Sequence, residues 1–385
     1  MSGHIRRRGE QSWELKYEAG TDPRTGKRIT KYQSFKGTKR EAEAKLAALI
    51  TAVATDTHVE PKKITVAEFV RERIDQWEAS AKISAKTAAR YRELAKNQIA
   101  PHIGAKVLQK LRPLDIEDWH TALRNSGRAD GKGGIHPRTI GHAHRVLSKA
   151  LTDAIKNRLV MSSVTKLERA PKVAEAEMVI VKDLPAFLDK LKESPRLYVP
   201  AMLSLFTGMR RGEALALRWS NVDLDKKVIQ VREALEQTDA HGIRFKSPKS
   251  NAGRRNITLP DILVEVLQEH RKAQLKFRMK LGAGKLYDTT LLFADLNDAP
   301  LSPNALSAAW SDFAQRIGMP GVTFHALRHT HASQLIDAGV DIVTISKRLG
   351  HAKPDITLRV YSHLFRKDDS KAAAAINAAV ASFQR

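Results

Sequence analysis

The chain contains no cysteine. Disulfides, cysteine-ligated zinc, iron–sulfur clusters and cysteine nucleophiles are thereby excluded. Acidic residues are in deficit: 42 Asp and Glu stand against 66 Lys and Arg, a formal net charge of +24 over 385 residues. That excess points to a polyanionic partner, nucleic acid or an anionic membrane. No apolar run reaches the ~18 residues of a membrane span. The basic start, Met1 to Arg8, lacks the apolar stretch of a signal peptide. Aromatic residues make up only 6%, yet 42% of the chain is hydrophobic, enough for packed cores. The length predicts two or three domains.

Three zones and a linker are predicted. Residues 1–60 carry alternating Trp13, Leu15 and Tyr17, the period of a half-buried strand. A turn at Asp22–Gly26 leads to a second strand over Lys27–Phe35, and His4–Arg8 supplies a third. Thr38 and Glu41 form a capping box that opens a helix. Arg6, Arg7, Arg8, Arg24, Lys27, Arg28 and Lys31 are candidate DNA contacts on this small sheet.

Residues 64–165 read as all-helical. A second capping box, Thr65 with Glu68, opens the first helix. The second starts near Ser84 and stops at Pro101; the third runs from Pro113 to Leu123. The glycines of Asn125–Pro137 match neither a P-loop nor a dinucleotide fingerprint, so the segment reads as a surface loop. The last helix has an apolar stripe from Ile140 to Ile155, with Arg145 and Lys149 on its other face as candidate DNA contacts. Residues 166–178 have linker composition, and 179–385 hold the informative motifs.

Four clusters in that last zone carry chemistry. In Thr207-Gly208-Met209-Arg210, Gly208 suits a left-handed helix end and Arg210 a turn between helices, with Glu213 placed to orient it. A predicted hairpin over Ile243–Leu259 carries Lys249 near its tip, with Lys246 as the alternative lysine. Thr323 is a predicted N-cap for a helix in which His325 and Arg328 share one face, a phosphate-oxygen site. His325 and His329 are spaced as metal ligands, but the glutamate of the zinc-protease motif is missing, so no metal is expected and His329 and His331 read as structural. Asp341 caps a helix ending at Gly350, His351 follows, and Tyr361 lies ten residues beyond on a helix begun by Pro354.

Each cluster alone is unremarkable. Together, and in this order, they resemble the tyrosine recombinase family, specifically phage-type integrases. The resemblance implies Arg210, Lys249, His325, Arg328, His351 and Tyr361 as the catalytic set. It is sharp over about 200–365 and looser before that. It implies a multidomain α+β chain: an arm-type DNA-binding domain (1–60) of small sheet plus helix, an all-helical, SAM-like core-binding domain (64–165), and a mainly α catalytic domain (179–385) with a small antiparallel sheet.

The chemistry implied is DNA cutting and rejoining through a 3′-phosphotyrosine on Tyr361, without metal or cofactor. Either His325 or His351 is the implied base. The implied partners are double-stranded core-type and arm-type attachment sites, further copies in a tetramer, an accessory DNA-bending protein and an excision factor. The implied setting is the nucleoid of a bacterial cytoplasm, with no membrane. Two alternatives stay open: a chromosome or plasmid dimer resolvase of the same family, and a non-catalytic sequence-specific DNA-binding protein.

Overall fold

The computed structural model describes residues 3–21, 25–55, 62–173, 178–238, 242–248, 251–295, 297–364 and 370–381. Arg24 and Lys249 lie outside the described residues. The chain divides into two compact units, residues 1–175 and 176–385.

The first unit opens with an antiparallel sheet of β1 (Gly3–Gly9), β2 (Ser12–Thr21) and β3 (Arg28–Lys36), in that order. Helix α1 (Lys39–Ala54) covers one face, and Thr38 with Glu41 forms the expected capping box. Leu15 and Tyr17 point into a small core with Ala42, Leu46 and Leu49. The strand register sorts the basic residues by face. Arg6 pairs with Glu14, and Lys16 with Tyr32, on the face away from α1. Arg8 and Arg28 share that face through ion pairs to Glu14 and Glu18. Arg7 and Lys31, opposite Trp13 and Tyr17, belong to the other face. Lys27 precedes β3 and is exposed.

The helical part comprises α2 (Val66–Ala79), α3 (Ala85–Leu94), α4 (Ala100–Ile103), α5 (Pro113–Ser126), α6 (Pro137–Lys156) and the short α7 (Val164–Leu167). The second helix does not stop at Pro101. A π-turn over Ala95–Ile99 resets the hydrogen-bond register, so Pro101 falls in the first turn of α4, where no N–H is needed. Trp119 donates to the Gln98 carbonyl in that turn, at 2.7 Å. Lys149 is not a free cation: its ammonium lies 4.2 Å from the Trp77 ring centroid and 5.7 Å from that of Tyr91. Arg145 is exposed, as expected.

His120 and His144 are buried and share a 3.1 Å hydrogen bond. One proton sits between two rings, and a second has no acceptor there. Desolvation first, then His144 and Arg124, lowers the His120 pKa to about 4. The unfolded imidazole titrates near 6.5. Stability is therefore complete above that pH and falls as pH drops toward 4, by up to about 3 kcal/mol. Urea unfolding at pH 7.5 and 5.0 checks this; His120→Gln reduces the difference.

The second unit begins with α8 (Leu184–Lys192), α9 (Pro195–Thr207) and α10 (Arg211–Leu215). Five short strands follow: β4 (Val222–Asp223), β5 (Val228–Val231), β6 (Ala234–Thr238), β7 (Gly242–Lys246) and β8 (Arg255–Thr258). The remaining helices are α11 (Asp261–Lys280), α12 (Pro303–Arg316), α13 (Ala326–Asp337), α14 (Ile342–Leu349), α15 (Pro354–Tyr361) and α16 (Ser370–Ala381). A large core gathers α8, α9, α11, α12 and the strands around Phe187, Trp310, Phe313 and Ile229.

The expected hairpin over Ile243–Leu259 is corrected. β7 pairs with β6, whereas β8 pairs with β5 in a separate sheet of order β4-β5-β8. The polar stretch between β7 and β8 carries the chain from one sheet to the other. Ile257 sets the register, because opposite Ile229 it is buried in the main core. Thr323 also acts differently from a simple N-cap. His325 occupies that position, and the Thr323 hydroxyl accepts from the Ala326 N–H at 3.2 Å. No described helix is long and apolar enough to cross a membrane.

Candidate active site

The site is assembled from two helix ends. α9 terminates at Gly208 in the left-handed conformation, φ 67°. A Cβ there would stand 2.7 Å from Leu349 and 2.8 Å from His331, so the position has room for glycine alone. α14 terminates the same way at Gly350, φ 67°, where a Cβ would meet the Arg255 guanidinium at 2.7 Å. Each helix end leaves carbonyls without an intrahelical partner. Arginines satisfy them here.

Arg328, on α13, is 2% exposed. It donates to the Gly208 carbonyl at 2.5 Å, to the Leu349 carbonyl at 2.8 Å and to His351 Nε2 at 2.9 Å. No carboxylate lies within ion-pair distance of it among the described residues. Burial, then repulsion from Arg210, pushes its pKa down to about 9. It stays charged at neutral pH as a buried cation with no carboxylate in direct contact, although Glu213 nearby partly favours it, and an anion seated here would favour it further.

Arg210 sits at the N-cap of α10, with 40% of its side chain open. Its guanidinium donates to Glu213 at 2.8 Å and to the Gly350 carbonyl at 3.2 Å. Glu213, 4% exposed, also accepts from Arg255 at 2.9 Å. Burial alone would raise the Glu213 pKa, but Arg255 foremost and then Arg210 bring it below the ordinary carboxylate range. Arg255, on β8, also donates to the Arg348 carbonyl at 2.6 Å. This buried chain holds Arg210 in one orientation. Arg255 was absent from the sequence-derived set. Its signal is parity: it lies two residues before Ile257 and shares that residue's inward face.

His351 lies between Arg328 and Thr357, whose hydroxyl is 2.7 Å from its Nδ1. Since Arg328 can only donate, Nε2 is the acceptor and Nδ1 carries the proton. Desolvation, then Arg328 and Arg210, lowers its pKa to about 4. His325 remains exposed at the start of α13. Desolvation of its packed side, then His329, Arg328 and Arg210, lowers its pKa to about 4 as well. His331 is structural, as expected: it bonds the Leu205 carbonyl at 2.8 Å and accepts from Arg348 at 3.0 Å.

Tyr361, the last residue of α15, is 1% exposed and packs with Ala332, Ile336, Ile345 and Leu349. Burial pushes its pKa up to about 12. Its hydroxyl lies 2.9 Å from His329 Nδ1. Lys246 is taken up elsewhere, 2.5 Å from the buried Glu236. Among the described residues, no group of three His, Asp or Glu is placed to hold a metal ion.

Known proteins are similar to this chain in sequence and fold. Residues 179–368 match the phage integrase family, and residues 69–124 its N-terminal SAM-like domain. A relative described as a XerC-like tyrosine recombinase, from Caldanaerobacter subterraneus subsp. tengcongensis, is 25% identical, covering 96% of each chain. A putative prophage phiRv2 integrase of Mycobacterium tuberculosis is 26% identical over 80% of this chain and 77% of its own. In fold, the chain is similar to the Tn1549 transposon integrase solved with a circular intermediate DNA. The TM-score is 0.68 at 18% identity, covering 82% of this chain and 99% of that one. The two matched stretches, the near full-length relative and the clustered arginines, histidines and tyrosine lead to one conclusion: the chain belongs to the phage integrase family of tyrosine recombinases.

Proposed function

We propose that the chain is a site-specific integrase in which Tyr361 attacks a DNA phosphodiester held by Arg210 and Arg328, with His351 positioning Arg328. The observation that carries this is the buried Arg328 cation without a carboxylate partner, in the same site as part-exposed Arg210. A phosphodiester is monoanionic and develops further charge on its non-bridging oxygens during attack. Guanidiniums offer planar, forked donors to those oxygens, already fixed before the reaction. His325 adds a donor beside the phosphate, and His351 positions Arg328 by accepting from it through Nε2.

In the proposed step the Tyr361 oxygen bonds to phosphorus and the bond to the 5′-oxygen breaks. Lys249 protonates the leaving 5′-oxygen as general acid. Lys246, occupied by Glu236, is the weaker candidate for that role. The product is a 3′-phosphotyrosine and a free 5′-hydroxyl. A second 5′-hydroxyl reverses the step, so the bond energy is retained and no nucleotide cofactor is consumed. Tyr361 is buried, so the site must open around its hydroxyl, with His329 still beside it, before a phosphate meets it.

Residues 1–60 serve as the arm-type DNA-binding domain, using the outward sheet face of Arg6, Arg8, Lys16 and Arg28. Residues 64–165 grip the core site, with Arg145 toward phosphates, and 179–385 cut. The exposed Ile376 and Val380 of α16 dock on a neighbouring copy, giving a tetramer on DNA. An accessory bending protein and an excision factor complete the proposed assembly.

The test is trapping. Wild-type protein incubated with nicked half-site DNA from the junctions flanking its own gene gives an adduct that survives denaturant. Tyr361→Phe binds equally and gives none. Binding without an adduct in the wild type overturns the reading in favour of a non-catalytic DNA-binding protein.

A further inference from the structure

Proton removal from Tyr361 needs a base, and four imidazoles crowd the site. Two are fully committed. His331 has one nitrogen on the Leu205 carbonyl and the other on Arg348. His351 has one on Arg328 and the other on Thr357. His325 touches the tyrosine only through a third ring, standing edge-on to His329 with centroids 4.8 Å apart. His329 alone is hydrogen-bonded to the phenol, through Nδ1 at 2.9 Å, among the described residues.

We infer that His329 is the base of strand cleavage, its Nδ1 taking the Tyr361 proton as the phenolic oxygen bonds to phosphorus. This rests on Tyr361 being the nucleophile. The O–H bond breaks, its electron pair forms the O–P bond, and the P–O5′ bond breaks. The leaving oxygen is protonated by a different group, the acid assigned above to Lys249. His329 becomes imidazolium and returns its proton to the phenolic oxygen when the strand is resealed.

The surroundings suit the assignment. Burial first, and then Arg328, lowers the His329 pKa, so the ring is neutral at physiological pH and free to accept. The groups facing it are His325 and Arg328 from its own helix and Tyr361 from α15. Tyr361 holds its proton firmly at rest. A phosphate seated on Arg328 offsets the charge that suppresses the imidazole, so base strength rises when substrate is bound.

The test is single-turnover cleavage of the same nicked half-site between pH 6 and 10, by wild type and His329→Gln. Two leaving groups are compared, the natural 5′-oxygen and a 5′-sulfur that needs no protonation. His329→Gln is expected to cleave about 100-fold more slowly or worse at pH 7.5. The deficit shrinks as alkali ionises the phenol, and the sulfur substrate does not restore the rate. Wild-type rates, a deficit independent of pH, or rescue by sulfur each overturn the assignment. DNA affinity and a thermal melt check the fold, and His329→Asn replaces the Gln variant if the latter melts early. Cleavage by Tyr361→Phe in the same assay overturns the nucleophile itself, a failure distinct from that of His329.

Discussion

Arg210→Lys is expected to cleave DNA about 100- to 1,000-fold more slowly while unfolding at the wild-type urea concentration. The side chain is part-exposed, and lysine keeps a cation beside the buried Glu213, so the charge and the fold are retained. What lysine loses is the fork: one ammonium cannot hold Glu213, the Gly350 carbonyl and two phosphate oxygens in fixed directions. Arg328→Lys behaves differently. Its guanidinium closes two helix ends at once, through Gly208 and Leu349. A point charge leaves at least one buried carbonyl unmet, at about 1–3 kcal/mol each. Cleavage falls at least as far as in Arg210→Lys, and stability falls with it. Equal stability losses in the two variants would contradict this division of labour.

Glu213→Ala is expected to destabilise the protein by about 3–5 kcal/mol, read as the shift in urea midpoint. Arg255 is 7% exposed on its side chain and Glu213 is its carboxylate partner. Removing the carboxylate strands a buried cation. Glu213→Gln keeps an acceptor and costs less. A useful comparison is Glu236→Ala. That carboxylate is also buried, but Arg244 and Lys246 have side chains 39% and 42% exposed, so water takes over and the loss is smaller. Cleavage by Glu213→Ala falls as well, because Arg210 loses the group that orients it.

Much of this was legible in the sequence because the informative signals are local. Gly208 and Gly350 mark helix ends, Asp341 marks a helix start, and His325 with Arg328 fall one turn apart. What needed the structure depends on long-range pairing. β8 leaves β7 for β5, a choice made by the core around Ile229 and Ile257 rather than by the intervening turn. That choice turns Arg255 inward. Pro101 looked like a helix stop until the π-turn supplied a new first turn for it. Three histidines crowd residues 325–331, and which of them meets Tyr361 depends on where α15 packs against α13. Lys149 sits on a helix face that reads as solvent, yet two aromatic rings from α2 and α3 cover it.

The most direct measurement digests the trapped protein–DNA adduct and identifies the linked residue by mass spectrometry. A nucleotide joined through its 3′-phosphate to the peptide holding Tyr361 is the predicted result. Linkage to any other residue, or through a 5′-phosphate, contradicts the account.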